Sequence, residues 1–103
     1  MNKEDVQSLS KLFKYVVFKV SASWCKPCSI AKPYIDLFHK DAEQRIHSDI
    51  PLIEVDYDND PIARRYLHVQ SIPTLVLFID GEMQHSCTGA NEKNISIFYR
   101  HIK

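Results

Sequence analysis

At 103 residues the chain has room for one hydrophobic core and a single domain, residues 1–103, with no need of disulfide staples. Thirteen Lys and Arg balance thirteen Asp and Glu with no long block of either sign, which argues against nucleic acid or an anionic membrane as the main partner and leaves protein as the expected one. Hydrophobic residues make up 45%, as a packed globule requires, and three cysteines fit a reducing compartment better than a stapled secreted domain.

The start, Met1-Asn2-Lys3-Glu4-Asp5, is charged and leads into neither an apolar signal core nor a run long enough to span a bilayer, so a cytoplasmic location is expected. Val6, Leu9, Leu12 and Phe13 recur at helical spacing, and Asn2 or Lys3 opens a short helix ending before Tyr15. Tyr15-Val16-Val17-Phe18-Lys19-Val20 reads as a strand covered on both faces, with Lys19 as the exception. From Cys28 to about Ile46 the apolar residues Ile30, Ala31, Tyr34, Ile35, Leu37 and Phe38 follow a helical period, and Pro33, which has no backbone N–H, is expected to kink that helix. Pro51 to Tyr57 is a second strand. Asp60 and Pro61 then suit the N-cap and first position of a helix running to about Leu67. After Ser71-Ile72-Pro73, Thr74–Ile79 is a strand, Asp80-Gly81 a hairpin turn, and Glu82 to Thr88 its antiparallel partner. Gly89 ends it, and Asn91 caps a last helix with Ile95, Phe98, Tyr99 and Ile102 on one face. Strand, helix, strand, then hairpin and helix describe one α/β domain, a mixed sheet flanked by helices.

The chemistry is concentrated in Trp24-Cys25-Lys26-Pro27-Cys28. Two cysteines three positions apart at a helix start are spaced to alternate between dithiol and disulfide. At the helix N-terminus, unpaired backbone N–H groups and the positive end of the macrodipole favour the Cys25 thiolate, the attacking species. Cys28, one turn on, can then displace the substrate thiol from a mixed disulfide. Pro27 stiffens the turn, and Trp24 covers one side of the pair. The rival for such a pair is half of a tetrahedral zinc site, which needs two further ligands at compatible spacing. Cys87 stands alone, and His39, His47, His68, His85 and His101 are scattered, so no metal is expected. Asp56-Tyr57-Asp58-Asn59-Asp60 has the acidic alternation of a calcium loop, but Pro61 and Leu67 stand where that loop needs glycine and glutamate, and it reads instead as a strand end and helix cap. Cys87 is expected as a packed or edge-strand thiol.

This order of elements, with Trp24, Cys25, Pro27 and Cys28 at the first strand-to-helix turn, Pro33 within the helix, Ile72-Pro73-Thr74 before the hairpin and Gly89 after it, resembles the thioredoxin family over nearly the whole chain. The resemblance implies the thioredoxin fold, a mixed four- or five-stranded sheet. It implies a protein-disulfide reductase that carries electrons in cell redox homeostasis as a monomer. Its redox centre is the Cys25–Cys28 disulfide, so no bound cofactor is needed, and it acts on disulfide-containing proteins and is recycled by an NADPH-dependent thioredoxin reductase. It further implies a cis Ile72–Pro73 bond facing the cysteines, with Ile72, Pro73, Gly89 and Ala90 forming the surface that meets the substrate backbone. Three departures stand out. Few residues precede the strand ending at Val20, so the usual opening strand is expected to be missing. Lys26 replaces the commonest glycine and should favour thiolate at its neighbours. Lys19 takes the place of the family's buried aspartate and Glu54 that of the facing lysine, as a buried or half-buried pair beneath Cys28. A charged ammonium cannot take the resolving thiol's proton, so a desolvated Glu54 is the expected acceptor. Two alternatives remain: a disulfide oxidant or isomerase on the same fold, and a binding module whose cysteines are vestigial.

Overall fold

The computed structural model describes residues 1–103. In chain order the elements are α1 (Lys3–Leu12), β1 (Tyr15–Ser21), α2 (Lys26–Ile46), β2 (Leu52–Asp56), α3 (Ile62–Arg65), β3 (Thr74–Ile79), β4 (Glu82–Thr88) and α4 (Glu92–Tyr99). They build a four-stranded sheet in the order β2-β1-β3-β4, with β1 parallel to β2 and antiparallel to β3, and β3 antiparallel to β4. The residues before β1 form a helix and no strand, so β2 is an edge.

Alternation along β1 divides the interior into two layers. Val16, Phe18 and Val20 join Val6 of α1, Val55 of β2, and Ile62 and Ala63 of α3 on one face. Tyr15 and Val17 join Ala31, Ile35 and Ala42 of α2 and Ile95, Phe98 and Tyr99 of α4 on the other. β1 is covered on both sides by helices, which is why it reads as an almost continuous apolar run.

The helix starts follow their capping residues. At α1, Asn2 Oδ1 accepts from the Asp5 N–H at 2.9 Å and Asp5 Oδ2 from the Asn2 N–H at 3.0 Å, a reciprocal capping box. At α4, Asn91 Oδ1 accepts from the Asn94 N–H at 3.0 Å. Helix α2 runs unbroken through Pro33. The expected apolar face of α1 is only half realised: Val6 is buried and Leu9 half-buried, but Leu12 is 77% and Phe13 39% exposed. The buried neighbour of Val6 is instead Ser10, whose hydroxyl donates to Val6 O at 2.8 Å, and the last turn of α1 overruns the layer it packs on. Helix α3 is a single turn, shorter than the span to Leu67. Its N-cap is Pro61 rather than the expected Asp60, one position later, although Asp60 Oδ1 accepts from the Ile62 N–H at 3.2 Å. Asp80 and Gly81 both have positive φ, 52° and 85°, the conformation that matches a two-residue hairpin to strand twist. The β3–β4 register steps by one at Gln84, a bulge on the exposed edge strand.

Two polar clusters tie α2 to the C-terminal residues. His39 is buried; its Nε2 donates to Ile50 O at 2.8 Å, and in the neutral ring Nδ1 then accepts from the Tyr99 hydroxyl at 2.9 Å. The Arg45 guanidinium donates to Tyr99 O at 2.9 Å and Ile102 O at 2.7 Å, and the Tyr15 hydroxyl donates to Lys103 O at 3.0 Å. Ile102 itself is fully buried.

Candidate active site

Strand register places the predicted site residues at one end of the sheet. Ser21, the last residue of β1, is level with Asp56 at the end of β2; Val20 is level with Thr74 at the start of β3; and Thr74 is level with Thr88 at the end of β4. The segments that continue from these ends are therefore neighbours: Ala22 to Cys25, Tyr57 to Asp60, Ser71 to Pro73, and Gly89-Ala90.

Cys25 is the N-cap of α2, with extended backbone (φ −85°, ψ 104°) and its N–H bonded to Ala22 O at 3.2 Å. It is joined to Cys28 as a disulfide, the two Cα atoms 5.3 Å apart. The Cys28 N–H donates to Cys25 Sγ at 3.2 Å, so an orphan amide of the first helical turn is aimed at the sulfur that would carry negative charge after reduction. Pro27 in the first turn sacrifices an N–H that would have had no helical partner anyway. Cys25 is 4% exposed in this disulfide state and Cys28 half-buried, while Lys26 and Pro27 are exposed between them. Cys28, Ala31, Ile35 and Ala42 share one stripe of α2, the one that packs on the sheet.

Trp24 is 66% exposed, and its indole N–H donates to Asp58 Oδ2 at 2.6 Å. The sequence reading missed this partner, having given the whole acidic run to a strand end and cap. The rest of that run is wired as a turn. Asp56 accepts from the Asp58 N–H at 3.0 Å and the Asn59 amide at 2.8 Å, and these bonds, the Asn59 one foremost, hold its carboxyl below the usual range. No group of three or more His, Cys, Asp or Glu side chains is placed to hold a metal ion.

The Ile72–Pro73 bond is cis. Pro73 O accepts from the Gly89 N–H at 2.8 Å, and Thr74 Oγ1 lies 2.9 Å from Thr88 Oγ1 while donating to Ser71 O at 2.7 Å. These bonds fix Ile72–Pro73 against Gly89 and Ala90. Gly89 has φ +103°, where a side chain is strained, yet a Cβ built there meets nothing within 4 Å. Glycine is required here by the backbone conformation, and the face above it is open.

Lys19 and Glu54 are cross-strand neighbours forming an ion pair, Nζ to Oε1 2.9 Å. The pair is not buried as a unit. The Lys19 side chain is 9% exposed and that of Glu54 70%, because Glu54 lies on the edge strand β2, whose outer side has no neighbour. A desolvated Glu54 carboxylate is therefore corrected to a solvated one. Cys87 is half-buried with no disulfide partner; it lines a cavity between β4 and α4 with His85 and His101, whose rings stack at 3.5 Å, and burial pushes its thiol pKa up.

A cysteine pair at a helix start, on an α/β/α sheet with the cis-proline loop at the same end, defines a thiol-disulfide oxidoreductase. The family model described as Thioredoxin matches residues 2–100. A thioredoxin from Ophiophagus hannah is 32% identical over 82 residues, covering 80% of this chain and 73% of the relative. The chain belongs to the thioredoxin family. Its fold is shared with the thioredoxin of Plasmodium falciparum (TM-score 0.81, 20% identity, 98% and 94% of the two chains covered) and with mitochondrial thioredoxin 3 of Saccharomyces cerevisiae (0.77, 24%, 95% and 88%).

Proposed function

We propose that this protein is a protein-disulfide reductase of the cytoplasm, acting as a monomer. The observation that carries the reading is Cys25 at the N-cap of α2 within disulfide reach of Cys28. The Cys25 thiolate attacks a substrate disulfide, forms a mixed disulfide and releases the first substrate thiolate. Cys28 then loses its proton, attacks Cys25 Sγ and releases the second, leaving the substrate reduced by two electrons and the Cys25–Cys28 pair oxidised. Trp24, Pro27, Ile72, Pro73, Gly89 and Ala90 form the surface on which an extended substrate segment docks, and the backbone of Ile72 is its hydrogen-bonding partner. An NADPH-dependent thioredoxin reductase returns the pair to the dithiol. Reduction of insulin by the protein with dithiothreitol as electron source is the expected outcome; absence of turnover would leave a binding module instead. Consumption of NADPH when a thioredoxin reductase replaces dithiothreitol tests the recycling partner. One observation favours the oxidant alternative: two cations, Lys26 beside the nucleophile and the buried Lys19, lie where they favour thiolate.

A further inference from the structure

Lys19 is the only Lys, Arg, Asp or Glu side chain among the buried residues of this molecule. We infer that its charge acts on the Cys25–Cys28 couple, stabilising the reduced, thiolate form and making the couple more oxidising than the same site without it. The inference rests on thiol-disulfide exchange at this pair and adds to it the residue that sets its equilibrium.

Three observations place Lys19. It points to the same face of β1 as Tyr15 and Val17, the face covered by α2, as its spacing of two and four residues from them requires. It lies two residues before the end of β1, beyond which the chain turns into Cys25, and α2 returns over the sheet from that end. The first turns of α2, with Cys28 and Ala31 on the sheet-facing stripe, therefore cover the end of β1 that holds Lys19. Glu54, bonded to Lys19, lies two residues before Asp56, where β2 ends beside Ser21. The ion pair is thus close to the end of the sheet from which the chain enters α2.

The two members of the pair do not cancel at the dithiol. The Glu54 carboxylate is mostly in water, which screens it, whereas Lys19 is buried, on the strand face of Val17 and level with Leu75 of β3. The other charges near that end of the sheet, Lys26, Lys32, Asp36, Asp56 and Asp58, are exposed. A buried cation lowers the free energy of a nearby thiolate but not of a neutral disulfide. In the exchange of the protein disulfide with two glutathione thiols, giving the dithiol and glutathione disulfide, Lys19 shifts the balance toward the dithiol. Lys19 is a positioning charge and takes no proton.

The test is a glutathione redox titration at low ionic strength of the unaltered protein, Lys19→Met and Glu54→Gln, with thiolate ultraviolet absorbance followed against pH. Lys19→Met should move the equilibrium constant toward the disulfide by roughly tenfold, equivalent to a potential lower by about 30 mV, and the thiolate should appear at higher pH. Glu54→Gln, at an exposed site that tolerates change, should move the constant the opposite way by a smaller factor, and that shift should shrink in high salt. Potentials that move in the same direction in both variants, or a Glu54→Gln potential that does not rise, would overturn the inference. A folded Lys19→Met with unchanged potential would do the same. If the Cys25–Cys28 pair of the unaltered protein does not exchange with glutathione at all, the redox reading itself fails and the inference with it.

Discussion

Replacing Gly89 with alanine separates conformational cost from steric cost, because the position offers one without the other. The residue sits at φ +103°, and a Cβ there meets no atom of the chain within 4 Å. Holding a side-chain-bearing residue in such a region costs about 1–3 kcal/mol. Alanine restricts the unfolded chain more than glycine does, which returns about 0.4–1 kcal/mol. The net destabilisation expected is therefore about 1–2 kcal/mol, or a fall in Tm of about 5–10 °C for a domain of this size. Urea denaturation at neutral pH measures it. The same methyl group stands on the open face beside Ile72–Pro73, where it meets an incoming substrate backbone. Insulin reduction should therefore slow by several-fold at a temperature where the variant is fully folded, while reduction of a small aromatic disulfide stays within about twofold of the unaltered protein. A destabilisation near zero would mean that the backbone conformation is not imposed by the fold. One above about 4 kcal/mol would mean a collision that the geometry does not contain. Equal loss on both substrates would remove Gly89 from the docking surface.

Cys28→Ser should retain attack by Cys25 and accumulate a mixed disulfide visible by mass spectrometry, whereas Cys25→Ser should trap nothing; trapping by Cys25→Ser alone would reverse the two roles. Tyr99→Phe leaves His39 Nδ1 buried without its donor and should cost about 1–3 kcal/mol in urea denaturation. Burial pushes the Tyr99 phenol pKa up, so in the unaltered protein its contribution is present below pH ~10, where an unfolded tyrosine ionises, and is lost as pH rises beyond it. The Tyr99→Phe protein should lack that alkaline loss, and parallel pH profiles would refute the assignment. In the oxidised protein, Cys87 should react with iodoacetamide several-fold more slowly than free cysteine, since burial disfavours its thiolate; alkylation as fast as that of free cysteine would mean the thiol is not covered.

The elements and the dithiol were legible because each has a local cause. Two layers of helices over β1 leave a mark that a single sequence carries, a run apolar at every position but one. Asp80-Gly81 states its turn in the only backbone region that fits it. The capping of α2 by Cys25 and of α4 by Asn91 likewise depends on neighbours a few residues away. What escaped depends on distant segments. Trp24 and Asp58 are 34 positions apart, and the run containing Asp58 has a sufficient local explanation as a turn, so nothing in it points to the indole. His39 has no metal-like spacing, and its partners, Ile50 O and the Tyr99 hydroxyl, become neighbours only when α2, α4 and the approach to β2 assemble. The exposure of Glu54 followed from β2 being the edge of the sheet. Pairing with Lys19 was readable from the resemblance, but which partner meets water is a property of strand order.

The bonds from Arg45 to Ile102 and from Tyr15 to Lys103 span 57 and 88 positions, and they join the central strand and the long helix to the residues that follow α4. During translation β1 and α2 are made early, with Tyr15, Val17 and Ile35 ready to be covered, but the residues that complete that layer, from Ile95 to Ile102, follow every strand of the sheet. Until then one face of the sheet stays open. Closure of the domain is in this respect a single late event. A released chain cut before Ile95 would present an apolar surface to chaperones, while its other face, built from α1, β1, β2, α3 and β3, would have all its parts.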